Sequence, residues 1–197
     1  FSKGHIRSKA GLSPATLLKI KNILSKAFNQ AVKNEILPKN PLDGLVLPST
    51  EPPLIQIFST HELQILNTAI TDDCFGILIR VLLCTGLRIG EALALTFNDI
   101  NFVNRTITIN KTVSYVKNKN THICEFIVGL PKTKSGVRKL YITSDLELFF
   151  KKQIELLTVL KNEQGSLWTE KNLVFPNSYG GYLSANKVRA KFKALQK

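Results

Sequence analysis

The chain has 197 residues, of which 27 are Lys or Arg and 14 are Asp or Glu, a formal net charge of +13. An apolar share of 44% is enough to bury a core and excludes a disordered tail, while the length admits one large domain or two small ones. The basic excess points to a polyanion, nucleic acid before membrane, and no apolar run reaches membrane-spanning length.

Residues 1–12 are basic and carry Gly4 and Gly11, the composition of a linking arm. Ser13-Pro14 then opens a helix, the serine as cap and the proline at the first helical position. Leu17, Ile20, Ile23, Leu24, Ala27, Phe28, Ala31 and Val32 recur at spacings of three and four and mark one apolar face. Lys19, Lys26 and Lys33 lie on or near the other. Residues 1–50 hold eight basic and two acidic side chains, so a quarter of the chain carries +6 of the +13. Pro48, Pro52 and Pro53 stiffen an extended linker. The expected division is a helical domain over 1–47, a linker over 48–57 and a second domain over 58–197.

In the second domain Ser59 and Glu62 form a capping box before a helix that runs to Ile70. Phe75 to Leu83 is almost wholly apolar and predicts a core helix, broken by Gly86. A new helix runs from Ile89 to Leu95. Alternation then predicts strands over Thr106–Asn110 and Lys111–Val116, a turn at Asn118–Thr121, and strands over 123–130 and 138–142. The last two flank Pro131-Lys-Thr-Lys-Ser-Gly136, which reads as a basic hairpin tip. Ser144-Asp145 caps a long helix reaching Asn162, Leu173–Phe175 is a short strand, and a basic helix runs from Ser184 to Gln196. The fold class is thus mainly α with a small antiparallel β-sheet.

Cys74, Cys84 and Cys124 are odd in number and lack zinc spacing; they read as buried thiols in a reducing compartment. No metal site is expected. The chain has no Met and begins at Phe1, as expected of a piece of a longer protein.

Two features carry chemistry. Arg88 follows a glycine break between apolar helices, with Glu91 three residues on. It fits a guanidinium held for a phosphate and supported from behind, or equally a surface ion pair worth under about 1 kcal/mol. The Lys132, Lys134 and Arg138 cluster could neutralise a phosphate or protonate a leaving alkoxide; lysines that merely protect a turn and a strand edge would look the same.

Taken together, Thr85-Gly-Leu-Arg-Ile-Gly-Glu-Ala-Leu-Ala-Leu95 with Phe97-Asn-Asp-Ile100, Pro131-Lys-Thr-Lys-Ser-Gly-Val-Arg138 and Leu173-Val-Phe-Pro176 resemble the tyrosine recombinases, the phage integrase family. The likeness is strongest to integrases of conjugative transposons and Gram-positive phages. The Ser13–Val32 helix is similar to the end of that family's core-binding domain. The resemblance implies the helical core-binding domain followed by the N-terminal part of the catalytic domain. It implies attack of a tyrosine on a DNA phosphate through a 3′-phosphotyrosyl link, without metal or nucleotide cofactor. Arg88 would be the first catalytic arginine, Glu91 its support, and Lys134 the general acid, with Lys132 as its rival. Lys9, Lys19, Lys132 and Arg138 would contact DNA. The implied partners are double-stranded attachment sites, three further copies of the protein on DNA, and an accessory DNA-bending or excision factor. The implied location is the bacterial cytoplasm, at the nucleoid.

The chain departs from the family pattern in its second arginine box and its nucleophilic tyrosine. None of His5, His61 and His122 precedes an arginine by three, and Tyr115, Tyr141, Tyr179 and Tyr182 all fall before the place of the missing His-x-x-Arg box. The chain by itself is expected to bind DNA without cleaving it. A non-catalytic DNA-binding protein that kept the fold would look the same.

Overall fold

The computed structural model describes residues 11–48, 57–131 and 136–195. The chain divides into two compact units, Phe1–Ile57 and Phe58–Lys197.

In the first unit, helix α1 spans Pro14–Lys33. Ser13 caps it, its side chain accepting from the Thr16 N–H, and Pro14 stands where its missing N–H costs nothing. After the helix the chain turns back through Asn40, which is buried. Its amide donates to Asn29 Oδ1 at 2.8 Å and its Oδ1 accepts from the Leu42 N–H at 2.9 Å. The apolar face foreseen for α1 exists, but no residue of the helix is buried, and Ile20, Ile23 and Leu24 are exposed among the described residues.

The second unit begins with α2, Thr60–Ala69, closed at its start by the Ser59–Glu62 capping box. Helix α3, Cys74–Thr85, buries Ile77, Leu78, Ile79 and Val81, as its apolar sequence requires. Its cap is Asp73, whose carboxylate accepts from the Gly76 N–H at 2.7 Å. Gly86 ends α3 in the left-handed region at φ 62°, where a side chain would be strained. Helix α4, Ile89–Ala94, then buries Ala92 and Leu93.

A three-stranded antiparallel sheet has the order β1-β2-β5, made of Ile100–Asn101, Thr106–Ile109 and Arg138–Tyr141. The two-residue β1 is the strand that the alternation did not reveal. In β2, Ile107 and Ile109 enter the core while Thr106 and Thr108 lie between, the period-2 pattern of a half-covered sheet. Strands β3, Thr112–Lys117, and β4, Cys124–Gly129, form a separate two-stranded ribbon. This corrects the expected hairpin at 131–136. Strand β4 pairs with β3, whereas β5 pairs with β2 with Ile107 opposite Leu140. Residues 132–135 of the expected tip lie outside the described residues, and the hairpin tip of the ribbon is the 118–123 turn.

Helix α5, Ser144–Gln164, crosses the core with Leu146, Phe150, Gln153 and Leu157 buried. Its cap is Thr143, one residue before the expected Ser144, with Thr143 Oγ1 accepting from the Leu146 N–H. Residues 173–175 are buried but form an isolated bridge, Thr96 to Leu173, rather than a strand. The Val174 N–H donates to the Leu95 carbonyl, and the buried Gln153 amide donates to the Val174 carbonyl at 2.7 Å. Tyr179 and Tyr182 flank a glycine turn. The last helix, α6, spans Ala185–Leu195. The thiols are not the buried set foreseen: Cys84 and Cys124 are exposed and Cys74 is half-buried. Among the described residues no helix is long and apolar enough to cross a membrane.

Candidate phosphate-binding site

Arg88 is the N-terminal flanking residue of α4, with extended backbone at φ −65° and ψ 142°. Buried α3 on one side and buried α4 on the other fix that backbone, and the left-handed Gly86 sets the direction of the turn between them. The Arg88 side chain is 76% exposed. Such a long cation, held at its root and open to solvent, can meet a ligand there.

Glu91 lies beneath it, with its side chain 2% exposed. Its Oε2 accepts from the Arg88 backbone N–H at 3.0 Å, and its Oε1 accepts from Arg88 Nη1 at 2.9 Å. Arg138, the first residue of β5, reaches the same carboxylate from the opposite side. Its Nη2 donates to Oε2 at 2.8 Å and its Nη1 to Oε1 at 3.3 Å. Burial pushes the Glu91 carboxyl upward. The hydrogen bonds from Arg138 and then Arg88 outweigh it and hold the group at about 2. Its hydrogen bond to Glu91 likewise raises Arg138 above its already high ordinary value.

Beside Arg88 opens a cleft of about 430 Å³, lined among others by Thr112, Ser114 and Tyr115 of β3 and by Asn186 and Arg189 of α6. Gly90 makes this cleft possible by letting α4 approach β3. A Cβ there would stand 2.6 Å from Thr112 Oγ1 and 2.9 Å from the Val113 carbonyl oxygen. The cleft wall is braced by a cluster of tilted aromatic rings, Tyr115 against Phe126 at 4.7 Å and Phe126 against Tyr182 at 5.7 Å between ring centres. At the other end of α4, Lys111 Nζ binds Asp99 at 2.7 Å and Thr96 Oγ1 at 3.0 Å. This ties the Phe97–Ile100 segment to the start of β3.

The structure thus brings Arg88, Glu91 and Arg138 together. Lys9, Lys132 and Lys134 lie outside the described residues, and Lys19 is exposed on α1 in the first unit. Sequence reasoning did not single out Arg189. It is exposed, lines the cleft that Arg88 borders, and bonds Asn186 Oδ1 at 3.2 Å. The other described arginines, Arg80, Arg88, Arg105 and Arg138, each hold a carboxylate; Arg189 has none among the described residues. Only its place on a basic helix could have flagged it.

The second unit is thus mainly helical, with two small antiparallel sheets and an exposed arginine backed by a buried carboxylate. The chain belongs to the phage integrase family, whose profile matches residues 54–197. It is 29% identical to a XerC-like tyrosine recombinase of Caldanaerobacter subterraneus subsp. tengcongensis, over 94% of this chain and 50% of the relative. It is 32% identical to the ICEBs1 integrase of Bacillus subtilis, over 82% of this chain and 41% of that one. The chain thus spans about half the length of the curated relatives it matches. Among solved structures, the Tn1549 transposon integrase in complex with circular intermediate DNA superposes with a TM-score of 0.70 at 25% identity, covering 94% of this chain and 58% of that one. The lambda integrase bound to DNA shares the fold, with a TM-score of 0.57 at 16% identity, covering 93% of this chain and 56% of that one. The mainly helical architecture with a small antiparallel sheet is that of the tyrosine recombinase catalytic domain.

Proposed function

We propose that this chain is the DNA-binding and phosphate-activating part of a site-specific recombinase that integrates and excises a mobile element. In the whole protein a tyrosine oxygen gives up its phenol proton to a base or water and attacks a DNA phosphorus, the bond to the 5′ oxygen breaks, and that oxygen takes a proton from Lys134. The 3′-phosphotyrosyl bond keeps the energy needed for rejoining. Arg88 donates to the non-bridging oxygens as their charge grows, from a position already fixed before the reaction. Glu91 holds Arg88 in that position. Lys9, Lys19 and Lys132 contact the DNA backbone, and Arg189 adds a second cation in the cleft. On DNA the protein works as a tetramer at double-stranded attachment sites, with an accessory DNA-bending or excision factor, in the cytoplasm.

The observation that carries this reading is the exposed Arg88 guanidinium anchored on a buried carboxylate beside an open cleft. This chain by itself is read as the part that binds DNA, with cleavage assigned to the whole protein. The test is strand cleavage by the whole protein. Arg88→Ala should lower it by about 10²–10³-fold, the range for loss of one transition-state donor, while DNA is still bound. A fully active Arg88→Ala enzyme refutes the role of Arg88. A whole protein that binds DNA but never cleaves it points instead to the non-catalytic alternative.

A further inference from the structure

Glu91 has one negative charge and two guanidiniums on it, and the two are not equivalent. Arg138 presents both terminal nitrogens to both carboxylate oxygens, the two-pronged geometry that is strongest and most directional for this pair. Its Nη1 also donates to the Gly136 carbonyl at 3.3 Å, and its side chain is only 30% exposed. Arg88 makes one side-chain contact to the carboxylate and is 76% exposed. The three groups sum to one positive charge, and the exposed member is the one that can deliver it.

We infer that Arg138 is the counter-charge of Glu91: by occupying both carboxylate oxygens it leaves the charge of Arg88 available to a DNA phosphate, and it does not itself bind DNA. It is a positioning residue, and the inference rests on the reading of Arg88 as a phosphate ligand. Without Arg138 the buried carboxylate would have Arg88 as its one side-chain partner. A buried carboxylate cannot stay charged without a partner at low cost, so Arg88 would be drawn fully onto it and lost to the ligand. A lysine at 138 could supply the charge but not the fork. The 47-residue separation of Glu91 and Arg138 makes this allocation of charge invisible to any local motif.

The experiment measures binding of this chain to double-stranded DNA across a salt series. Each phosphate contact contributes roughly 0.9 to the slope of log affinity against log salt. Arg138→Ala should weaken binding ~3–10-fold and reduce the slope by about one contact. Adding Glu91→Gln to Arg138→Ala should restore both, because the neutral amide oxygen can still accept from Arg88 and hold it in place without neutralising its charge. Arg138→Lys should keep the slope, and guards against a folding failure of the alanine variant. If the double variant stays as weak as Arg138→Ala, the inference is overturned and Arg138 is a direct DNA ligand; loss of the slope in Arg138→Lys overturns it as well, because a counter-charge on Glu91 would then not be what leaves Arg88 available. Arg88→Ala in the same assay separates the two levels. If it leaves affinity and slope unchanged, the reading of Arg88 fails and this inference falls with it. If it lowers both while the double variant does not recover, only the inference fails.

Discussion

Glu91 and Arg88 are joined twice within one helical turn, once through the Arg88 backbone N–H at 3.0 Å and once through its guanidinium at 2.9 Å. The first bond closes the start of α4, and the second aims the side chain. One buried carboxylate therefore shapes both the helix and the site. Folding lowers its pKa from 4.5 to about 2, so between those values the folded state holds fewer protons than the unfolded one. The resulting stabilisation is complete above the unfolded value and is lost as pH falls toward 2. It is on the order of 3 kcal/mol at most. The expected outcome is that the stability gap between wild type and Glu91→Gln, from urea unfolding at each pH, narrows by that order between pH 5 and pH 2. A gap independent of pH would mean that Glu91 is not held ionised by its arginines.

Gly90 should not accept even one carbon. The Val113 carbonyl oxygen 2.9 Å from its would-be Cβ belongs to the backbone and cannot rotate away, unlike Thr112 Oγ1. Gly90→Ala should cost about 1–3 kcal/mol by overpacking. Since α4 would be pushed off β3, the variant should also weaken DNA binding by moving Arg88. Denaturant melts and an affinity measurement on the same sample check both. An Ala variant of unchanged stability would show that the α4–β3 approach is looser than described.

Local chemistry was legible in the sequence and non-local pairing was not. The Ser59–Glu62 capping box, the Ser13-Pro14 start and the Gly86 break each depend on neighbours three or four residues away, and each stands where the residues placed it. Thr143, Ser144 and Asp145 can all cap a helix, so composition alone could not choose among them; the backbone selects Thr143. Strands β4 and β5 follow one another in the chain and read as a hairpin. Pairing β5 with β2 instead lays it beside the strand that sends Ile107 and Ile109 into the core, and that energy is not written between positions 124 and 141. Arg88 and Glu91 were visible as an i, i+3 pair, but Arg138 came to them from β5 of the three-stranded sheet.

The net charge of +13 and the open, arginine-lined cleft lead to a salt prediction. Binding of the chain to double-stranded DNA should weaken at least tenfold between 50 and about 200 mM salt if several phosphates are neutralised. A random-sequence duplex should show nearly the same slope, since phosphate contacts carry no sequence information. Affinity that does not change with salt would exclude a phosphate-dominated interface.

Lys132 and Lys134 divide two roles that one substrate can separate. A general acid matters only while the leaving oxygen needs a proton. Replacing the bridging 5′ oxygen by sulfur gives a leaving group that departs as the anion, so a protein lacking its acid should regain cleavage on that substrate. A lysine that only neutralises a phosphate stabilises charge on both substrates alike, and its loss should not be repaired. In the whole protein, Lys134→Ala should therefore cleave ordinary DNA poorly and the sulfur-bridged DNA at near wild-type rate. Lys132→Ala should show a similar, smaller defect on both. Rescue of Lys132→Ala and not of Lys134→Ala would exchange the two assignments. Rescue of neither would place the proton donor outside residues 131–136 altogether.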